Sequence, residues 1–288
     1  IMKKILVPID YSPNSINALH VAAAIARKSG AVIEMLHVNL AAIYATPFSE
    51  FATVSKFEDE DEQYDETAML ELEKIKMELL AEPAYSNLDI KIRVQEGFLH
   101  SSVRDVALED KVDLVVMGTR GASGMSEFLI GSNTEKVIRT APCPVLAIPQ
   151  HINEFAPKTV LLPSTLKNDQ LGVFHYLAKW EDMFHFLVKV LYLNNPSGLP
   201  TDGSAESQKN RLAEAAGLKK TDVIHTSTTF FEDSAILGAA DQCNADMIVM
   251  ATHQRQGLSH LLFGSVTEDT VNHSHIPVLA VPIGWQEN

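Results

Sequence analysis

Hydrophobic residues along the chain form short β-branched runs that alternate with longer stretches of helical periodicity. Runs such as ILVPI, DLVVM and PVLAI are apolar without alternation, which is typical of parallel strands covered by helices on both faces. The alternation predicts an α/β fold with doubly wound sheets and right-handed crossovers. The first half is predicted to hold strands at 4–9, 32–38, 89–95, 114–117 and 145–148, and helices at 15–29, 62–81, 101–110 and 133–140. In the second half the strands are predicted at 160–163, 186–193, 223–226, 247–250 and 278–281.

An internal duplication divides the chain. The segment DLVVMGTRGASGMSEFLIGSNTE, which starts at Asp113, aligns without a gap on DMIVMATHQRQGLSHLLFGSVTE, which starts at Asp246. Residues 112–149 and 245–282 share sixteen identities in thirty-eight positions, where composition alone gives roughly two or three. The first strands align at an offset of 155 instead of 133, so the first copy carries 22 extra residues around 45–66. We predict two domains, 1–150 and 151–288, joined by a linker near 151–158.

Charge and cysteine usage narrow the function classes. The first 150 residues hold 14 basic and 22 acidic side chains and the remainder 9 and 15, for a net charge of −14. Both halves should repel nucleic acid and anionic membranes at long range, and no apolar run reaches the eighteen or so residues of a membrane helix. Cys143 and Cys243 lack the spacing of a zinc site or redox pair. We expect a reduced, cytoplasmic protein without nucleic-acid or membrane partners.

A glycine pattern follows the fourth strand. Gly118 and Gly121 come directly after that strand, and nine residues later Gly131 and Ser132 open a helix. Glycines let backbone amides approach a polyphosphate without a Cβ in the way, and the partial positive charge at a helix N-terminus attracts an anion. The spacing fits neither a Walker A loop nor a dinucleotide fingerprint. The pattern favours a phosphate-binding loop of another class.

This glycine pattern, together with D-x-S-x-x-S-x-x-A at 10–18, LHV at 36–38 and PCPVLAIP at 142–149, resembles the ATP-binding branch of the universal stress protein family. The resemblance covers nearly the whole chain, twice. It implies that each copy is a Rossmann-like domain of the adenine nucleotide alpha hydrolase type, with a five-stranded parallel sheet of order 3-2-1-4-5. It also implies that ATP lies across the switch point between strands one and four, where open α/β sheets generally bind ligands.

The resemblance carries over to individual residues of the first copy. It implies that Asp10 contacts the ribose, with Ser12 of the same motif in the cofactor-binding set, and that the backbone around Pro8, Ile9 and Val38 holds the adenine. The phosphates are expected in a cradle formed by Gly118, Gly121, Gly131 and Ser132 and lined by Met117, Arg120, Asn133 and Thr134. Arg120 would supply the local positive charge that a triphosphate needs in an acidic domain. The resident ligand is expected to be ATP, ADP or AMP, with Mg²⁺ left open.

The second copy departs from this pattern. It has Thr165 at the position of Asp10, Ala251 at that of Gly118 and Gln254 at that of Gly121. It keeps Gly264 and Ser265, which are explained as the start and cap of a helix. We predict that the second copy does not bind ATP in the family's way.

The late histidines and the acidic run are weaker indicators of function. The late histidines, at 253, 260, 273 and 275, match no defined metal-site spacing, so no metal site is predicted. No catalytic residue is predicted either, because the acids near the glycine loop, Asp10, Glu127 and Glu135, have no assigned geometry for hydrolysis. The acidic run EDEDE at 58–62 is interpreted as a solvated loop. A lid over the nucleotide and a docking patch for a basic partner stay open for it.

The leading hypothesis is a stress-response binding module that holds an adenine nucleotide in its first domain. A slow Mg²⁺-dependent ATPase and a nucleotide-free interaction scaffold are the alternatives. The apolar terminal strands PVLAIP and PVLAVP would make adhesive sheet edges, and the resemblance implies that such edges pair. The two domains can satisfy this pairing within one chain, which leaves a homodimer open but unnecessary, and the protein partner is unknown.

Overall fold

The computed structural model describes residues 2–39, 55–119, 132–149, 152–192, 205–225, 233–252 and 262–285; for 55–64, 132, 225 and 262–265 it describes the backbone alone. The first repeat alternates strands and helices in the predicted order. Its elements are β1 (Lys4–Pro8), α1 (Pro13–Ser29), β2 (Val32–Asn39), α2 (Ser55–Leu80), β3 (Ile90–Glu96), α3 (Leu99–Glu109), β4 (Leu114–Gly118), α4 (Ser132–Thr140) and β5 (Val145–Ile148).

The second repeat has the same order, and its first three helices are shorter than their counterparts in the first repeat. Its elements are β6 (Thr159–Ser164), a 3-10 turn (Asn168–Gln170), α5 (Leu171–Phe184), β7 (Leu187–Tyr192), α6 (Ala205–Ala216), β8 (Thr221–His225), α7 (Asp233–Gln242), β9 (Met247–Thr252), α8 (Leu262–His273) and β10 (Val278–Pro282). Every strand predicted from the apolar runs is present in the described structure, with ends shifted by at most a few residues.

The interpretation of the acidic run at 58–62 as a loop is wrong, because these residues lie within α2. Glutamate is a good helix former, and negative charges in the N-terminal part of a helix interact favourably with the helix dipole. The amphipathic pattern of 62–81 therefore continues backwards through the run instead of starting after it. Residues 45–54 of the predicted insertion lie outside the described residues.

The strands form one ten-stranded sheet of order β3-β2-β1-β4-β5-β10-β9-β6-β7-β8. Counted within each repeat, the order is 3-2-1-4-5, as expected. Neighbouring strands within a repeat run parallel, whereas β5 and β10 pair antiparallel with Leu146 opposite Leu279. The two terminal apolar strands thus cover each other's edges within the chain. The domain boundary at residue 150 stays a prediction.

Both faces of the sheet are buried, each by its own hydrophobic cluster that spans the two repeats. On one face α1 of the first repeat meets α5 of the second, where the Lys28 ammonium donates to the Met183 carbonyl at 3.3 Å and lies 5.2 Å from the centre of the Phe184 ring. The segment between β5 and β6 packs here as well, with Phe155 edge-on to Phe184 at 5.5 Å. The continuous apolar runs of the strands are explained by this double coverage.

Among the described helices, none combines the length and apolar character that crossing a bilayer demands.

Candidate functional site

The first repeat brings β1 and β4 together as neighbours, with Ile5 opposite Leu114 and Leu6 opposite Val115. Their carboxyl ends therefore meet at one edge of the sheet. At the same edge α1 begins at Pro13 and α4 begins at Ser132. The N-termini of helices present unpaired backbone amides and partial positive charge. The topology thus creates an anion-attracting crevice at the point where the strand order reverses.

Asp10 follows β1 and is exposed at this crevice. Its Oδ1 accepts hydrogen bonds from the Ser12 hydroxyl at 2.5 Å and from the Ser12 backbone amide at 3.1 Å. The Ser12 hydroxyl also accepts from the amide of Ser15 at 3.2 Å and so caps α1. The D-x-S-x-x-S motif thereby fixes the carboxylate and the start of the helix together.

Tyr11 and His37 form an aromatic pair beside Asp10 that the sequence reasoning missed. Their ring centres lie 4.6 Å apart, and the Tyr11 hydroxyl donates to the Ala68 carbonyl of α2 at 3.4 Å. Burial, and after it the charge of Glu71, raises the pKa of Tyr11. The pair joins the end of β1 to β2 and α2, and the LHV motif, whose central residue is His37, was its only sequence signal.

The end of β4 is held by helices on either side. The Thr134 hydroxyl in the first turn of α4 donates to the Gly118 carbonyl at 3.1 Å, and Thr134 is buried. A Cβ on Gly118 would lie 3.0 Å from both the carbonyl oxygen and the Cβ of Asn14 in α1. Gly118 therefore lets α1 approach β4 closely, a packing role that the glycine pattern alone did not predict.

The remaining predicted residues lie at or near the ends of β1, β2 and β4 and at the start of α4. Ile9 is buried; its amide donates to the Leu36 carbonyl at 2.8 Å and its carbonyl lies 2.8 Å from the His37 ring nitrogen Nδ1. The last pair between β1 and β2 joins Pro8 to Leu36, so β2 continues past β1 with half-buried Val38. Met117 belongs to β4 and is buried in the hydrophobic cluster on one face of the sheet, whereas Asn133 is exposed on α4.

Four predicted residues are described only in part or not at all. Ser132 is the first residue of α4, and its side chain is outside the description. The predictions for Arg120, Gly121 and Gly131 fall outside the described residues. The structure thus brings the strand-end and helix-start residues together, and the intervening loop stays a prediction.

The same place in the second repeat is built differently. Leu166, the counterpart of Tyr11, is only 2% exposed and packs into the core, whereas Tyr11 is 39% exposed. Ser164 donates its hydroxyl hydrogen bond to Gln170 and in turn accepts from the Leu166 amide at 3.0 Å. The residue before the helical turn, Lys167, makes no side-chain cap. An apolar side chain and an internal polar pair thus replace the exposed Asp10 and its serine cap.

Side chains that could ligate a metal do not cluster in the described parts of either repeat, where no group of three His, Cys, Asp or Glu is placed to hold an ion. His273 instead lies 2.8 Å from the Asp233 carboxylate through Nδ1. His253 and His260 fall outside the described residues.

Comparison with known proteins agrees with the duplicated architecture. The model of the universal stress protein family matches residues 2–149 and 188–282. A universal stress protein of Methanocaldococcus jannaschii is 32% identical over 146 residues, 51% of this chain and 81% of that protein. Another, from Thermus aquaticus, is 30% identical over 146 residues, 51% of this chain and 98% of that protein.

A solved structure has the same fold over both repeats. The crystal structure of a universal stress protein from Archaeoglobus fulgidus superposes with a TM-score of 0.70 over 98% of each chain, at 19% identity. The family model covers both repeats and most of the chain. The chain therefore belongs to the universal stress protein family.

Proposed function

We propose that the first repeat binds an adenine nucleotide, ATP foremost, at the carboxyl ends of β1 and β4, and that the protein acts as a nucleotide-dependent regulatory module in a stress response. The observation that carries the proposal is the carboxylate of Asp10, held by Ser12 at the mouth of a crevice where two helices begin. A fixed, exposed carboxylate suits the two hydroxyls of a ribose, and helix N-termini suit phosphates.

The described residues fit such a ligand. Asp10 would accept from the ribose, Val38 on the overhang of β2 would border the base, and the first turn of α4 would receive the phosphates. Gly121, Gly131, Ser132 and Arg120 complete the proposed cradle. When bound with Mg²⁺, the triphosphate would supply a strongly anionic group whose charge the backbone amides and Arg120 offset.

The second repeat supports a stoichiometry of one nucleotide per chain. Thr165 offers no carboxylate, and Leu166 is buried where the first repeat has an exposed side chain. Ala251 and Gln254 add side chains at two positions where the first repeat has glycine. We infer that this repeat serves structure or partner recognition.

The test is the adenine nucleotide released by denaturing freshly purified protein, followed by calorimetric titration of nucleotide-free protein with ATP. We expect about one nucleotide per chain. Gly131→Val should abolish binding, because a branched side chain would occupy the phosphate cradle. Gly264→Val changes the aligned position of the second repeat and serves as the matched control that retains binding.

Other outcomes discriminate between the function classes. Two nucleotides per chain would contradict the asymmetry of the repeats. Undetectable binding by the wild-type chain, with no shift in melting temperature on adding ATP, would replace the proposal by the nucleotide-free scaffold. Mg²⁺-dependent release of phosphate that Asp10→Asn abolishes would make the protein a slow ATPase.

A further inference from the structure

A single arginine links the helix of the proposed phosphate site to the other repeat. Arg139, in the last turn of α4, donates through Nε and Nη2 to both carboxylate oxygens of Glu268 on α8. Its Nη2 also lies 2.8 Å from the carboxylate of Glu135, one turn earlier on α4. The hydrogen bond to Glu268, together with the charges of Glu268 and Glu135, outweighs the opposing effect of burial and raises the pKa of Arg139. The guanidinium therefore joins carboxylates from both repeats.

These two carboxylates occupy equivalent positions. Glu268 aligns with Glu135 at the repeat offset of 133, and Asn272 aligns with Arg139. The β5–β10 pairing is symmetric about Leu146 and Leu279, which also align at this offset. The two repeats are thus related by an approximate two-fold axis, but only the first repeat supplies the arginine. The arginine of this link therefore comes from α4 alone, although the two-fold symmetry of the fold would equally allow one on α8.

Contacts at its start, middle and end hold the linked helix, which also packs against α3. At the start of α4 the Thr134 hydroxyl holds the Gly118 carbonyl, and in the middle Val137 is fully buried. At the end of α4, Arg139 fixes the helix against α8. Tethered at both ends, α4 keeps its first-turn amides close to the end of β4.

The Arg139–Glu268 pair has the geometry of ion pairs that contribute measurably to stability. Isolated surface ion pairs contribute little because solvent screens them, but bidentate arginine–carboxylate pairs are the exception. The Glu268 side chain is only 14% exposed. Removing either partner should therefore loosen the C-terminal end of α4.

We propose that Arg139 and Glu268 are a positioning pair through which the second repeat holds α4 in register for phosphate binding. The second repeat, itself unsuited to nucleotide, thereby completes the site of the first. This inference rests on the proposed nucleotide function for its ligand, and on the described contacts alone for the anchoring of α4.

The experiment compares Arg139→Gln and Glu268→Gln with wild-type protein in titrations with ATP and with adenosine. We expect the Kd for ATP to rise about five-fold or more, the lower end of typical coupling between sites. The Kd for adenosine should change less than two-fold, because the ribose and base contacts lie on β1 and β2. General destabilisation would not separate the two ligands in this way. Arg104→Gln is the control, because it removes an exposed arginine paired within α3.

Hydrogen exchange of the α4 amides in nucleotide-free protein tests the anchoring independently. Faster exchange at 132–140 in both variants, with β4 unchanged, is expected. The double variant Arg139→Glu with Glu268→Arg, which restores an opposite-charge pair, should recover part of the ATP affinity and of the protection.

Failure of the positioning role and failure of the proposed nucleotide function give different experimental results. If the wild-type chain binds ATP and both variants keep its affinity, the positioning role is overturned while the proposed function stands. If the wild-type chain binds no ATP but the variants exchange faster in α4, the proposed function and the phosphate role fall and the anchoring stands. Unchanged exchange in both variants overturns the anchoring itself.

Discussion

Gly118 and Asn14 approach each other so closely that a methyl group on Gly118 would lie 3.0 Å from the Asn14 carbonyl oxygen. The contact seats the first turn of α1 against the end of β4. In the second repeat the aligned residue is Ala251, and there the helix is preceded by a 3-10 turn at Asn168–Gln170 instead of beginning directly at the position of Pro13. A glycine of the phosphate pattern is thus required by helix packing whether or not ligand is bound.

We expect Gly118→Ala to destabilise the protein by about 1–3 kcal/mol, the usual range for overpacking a well-packed site. Chemical denaturation monitored by circular dichroism measures the loss. Ala251→Gly is the reverse change in the second repeat and relieves no clash, so it should cost only the roughly 0.5–1 kcal/mol of a glycine inside a strand. Equal stability of Gly118→Ala and wild type would show that α1 can move away without cost.

Ser12 has two hydrogen-bonding roles, one to Asp10 and one to the amide of Ser15. Ser12→Ala should therefore cost about 1 kcal/mol through loss of the helix cap and should also weaken ATP binding by releasing the Asp10 carboxylate. Lys167→Ala at the aligned position is the control, because Lys167 makes no side-chain cap. If both substitutions have the same effect on stability, the cap contributes nothing.

Sequence periodicity was sufficient to predict the strands, because buried parallel strands are apolar throughout. The duplication could be found by aligning the two halves, because the repeats keep their strand residues. The glycine pattern and the resemblance to the universal stress protein family, not periodicity, placed Asp10, Gly118 and Thr134 at one sheet edge. Sequence periodicity could not place the N-terminal boundary of α2, since an acidic run is equally compatible with a solvated loop and with the N-terminal part of a helix.

Contacts between individual side chains on elements distant in sequence were beyond prediction. The pairing of Arg139 with Glu268 spans 129 residues, and the close approach of Gly118 to Asn14 depends on how far α1 reaches along the sheet. The positive φ of Tyr11, 65°, recurs in Leu166 at 57°. Because the repeat predicted not to bind ATP shares this conformation, it belongs to the strand–helix turn of the fold and not to nucleotide binding.

A charge network at the opposite sheet edge should make stability depend on acid pH. Asp110 lies 2.6 Å from Nη2 of Arg93 and 3.2 Å from the ammonium of Lys4. Burial acts to raise the pKa of Asp110, but the hydrogen bond and charge of Lys4 and the charge of Arg93 outweigh it and lower the pKa below its ordinary 3.8. The folded state thus favours the ionised carboxylate. This contribution is fully present above pH 3.8 and is lost as the pH falls through the lowered folded pKa.

Asp110→Asn should therefore flatten the acid side of the stability curve and lower stability at neutral pH. Urea denaturation between pH 3 and pH 7 measures both effects. Asp105→Asn is the matched control, since Asp105 pairs with Arg104 on the exposed face of α3. An acid limb of unchanged slope in Asp110→Asn would assign the acid sensitivity to other carboxylates.

Cys143 should be unreactive in the folded protein. Burial, with a smaller effect of the Asp113 charge, raises the pKa of its thiol to about 12, so at pH 8 only about one molecule in ten thousand carries the thiolate. Cys243 is half-buried, and burial raises its pKa as well. With iodoacetamide at pH 8 we expect slow labelling at Cys243 and none at Cys143 until denaturant is added, because the thiolate is the reactive form. The Cys243→Ser variant isolates Cys143; labelling of this variant at the rate of a free thiol under native conditions would mean that the segment before β5 opens far more readily than its burial implies.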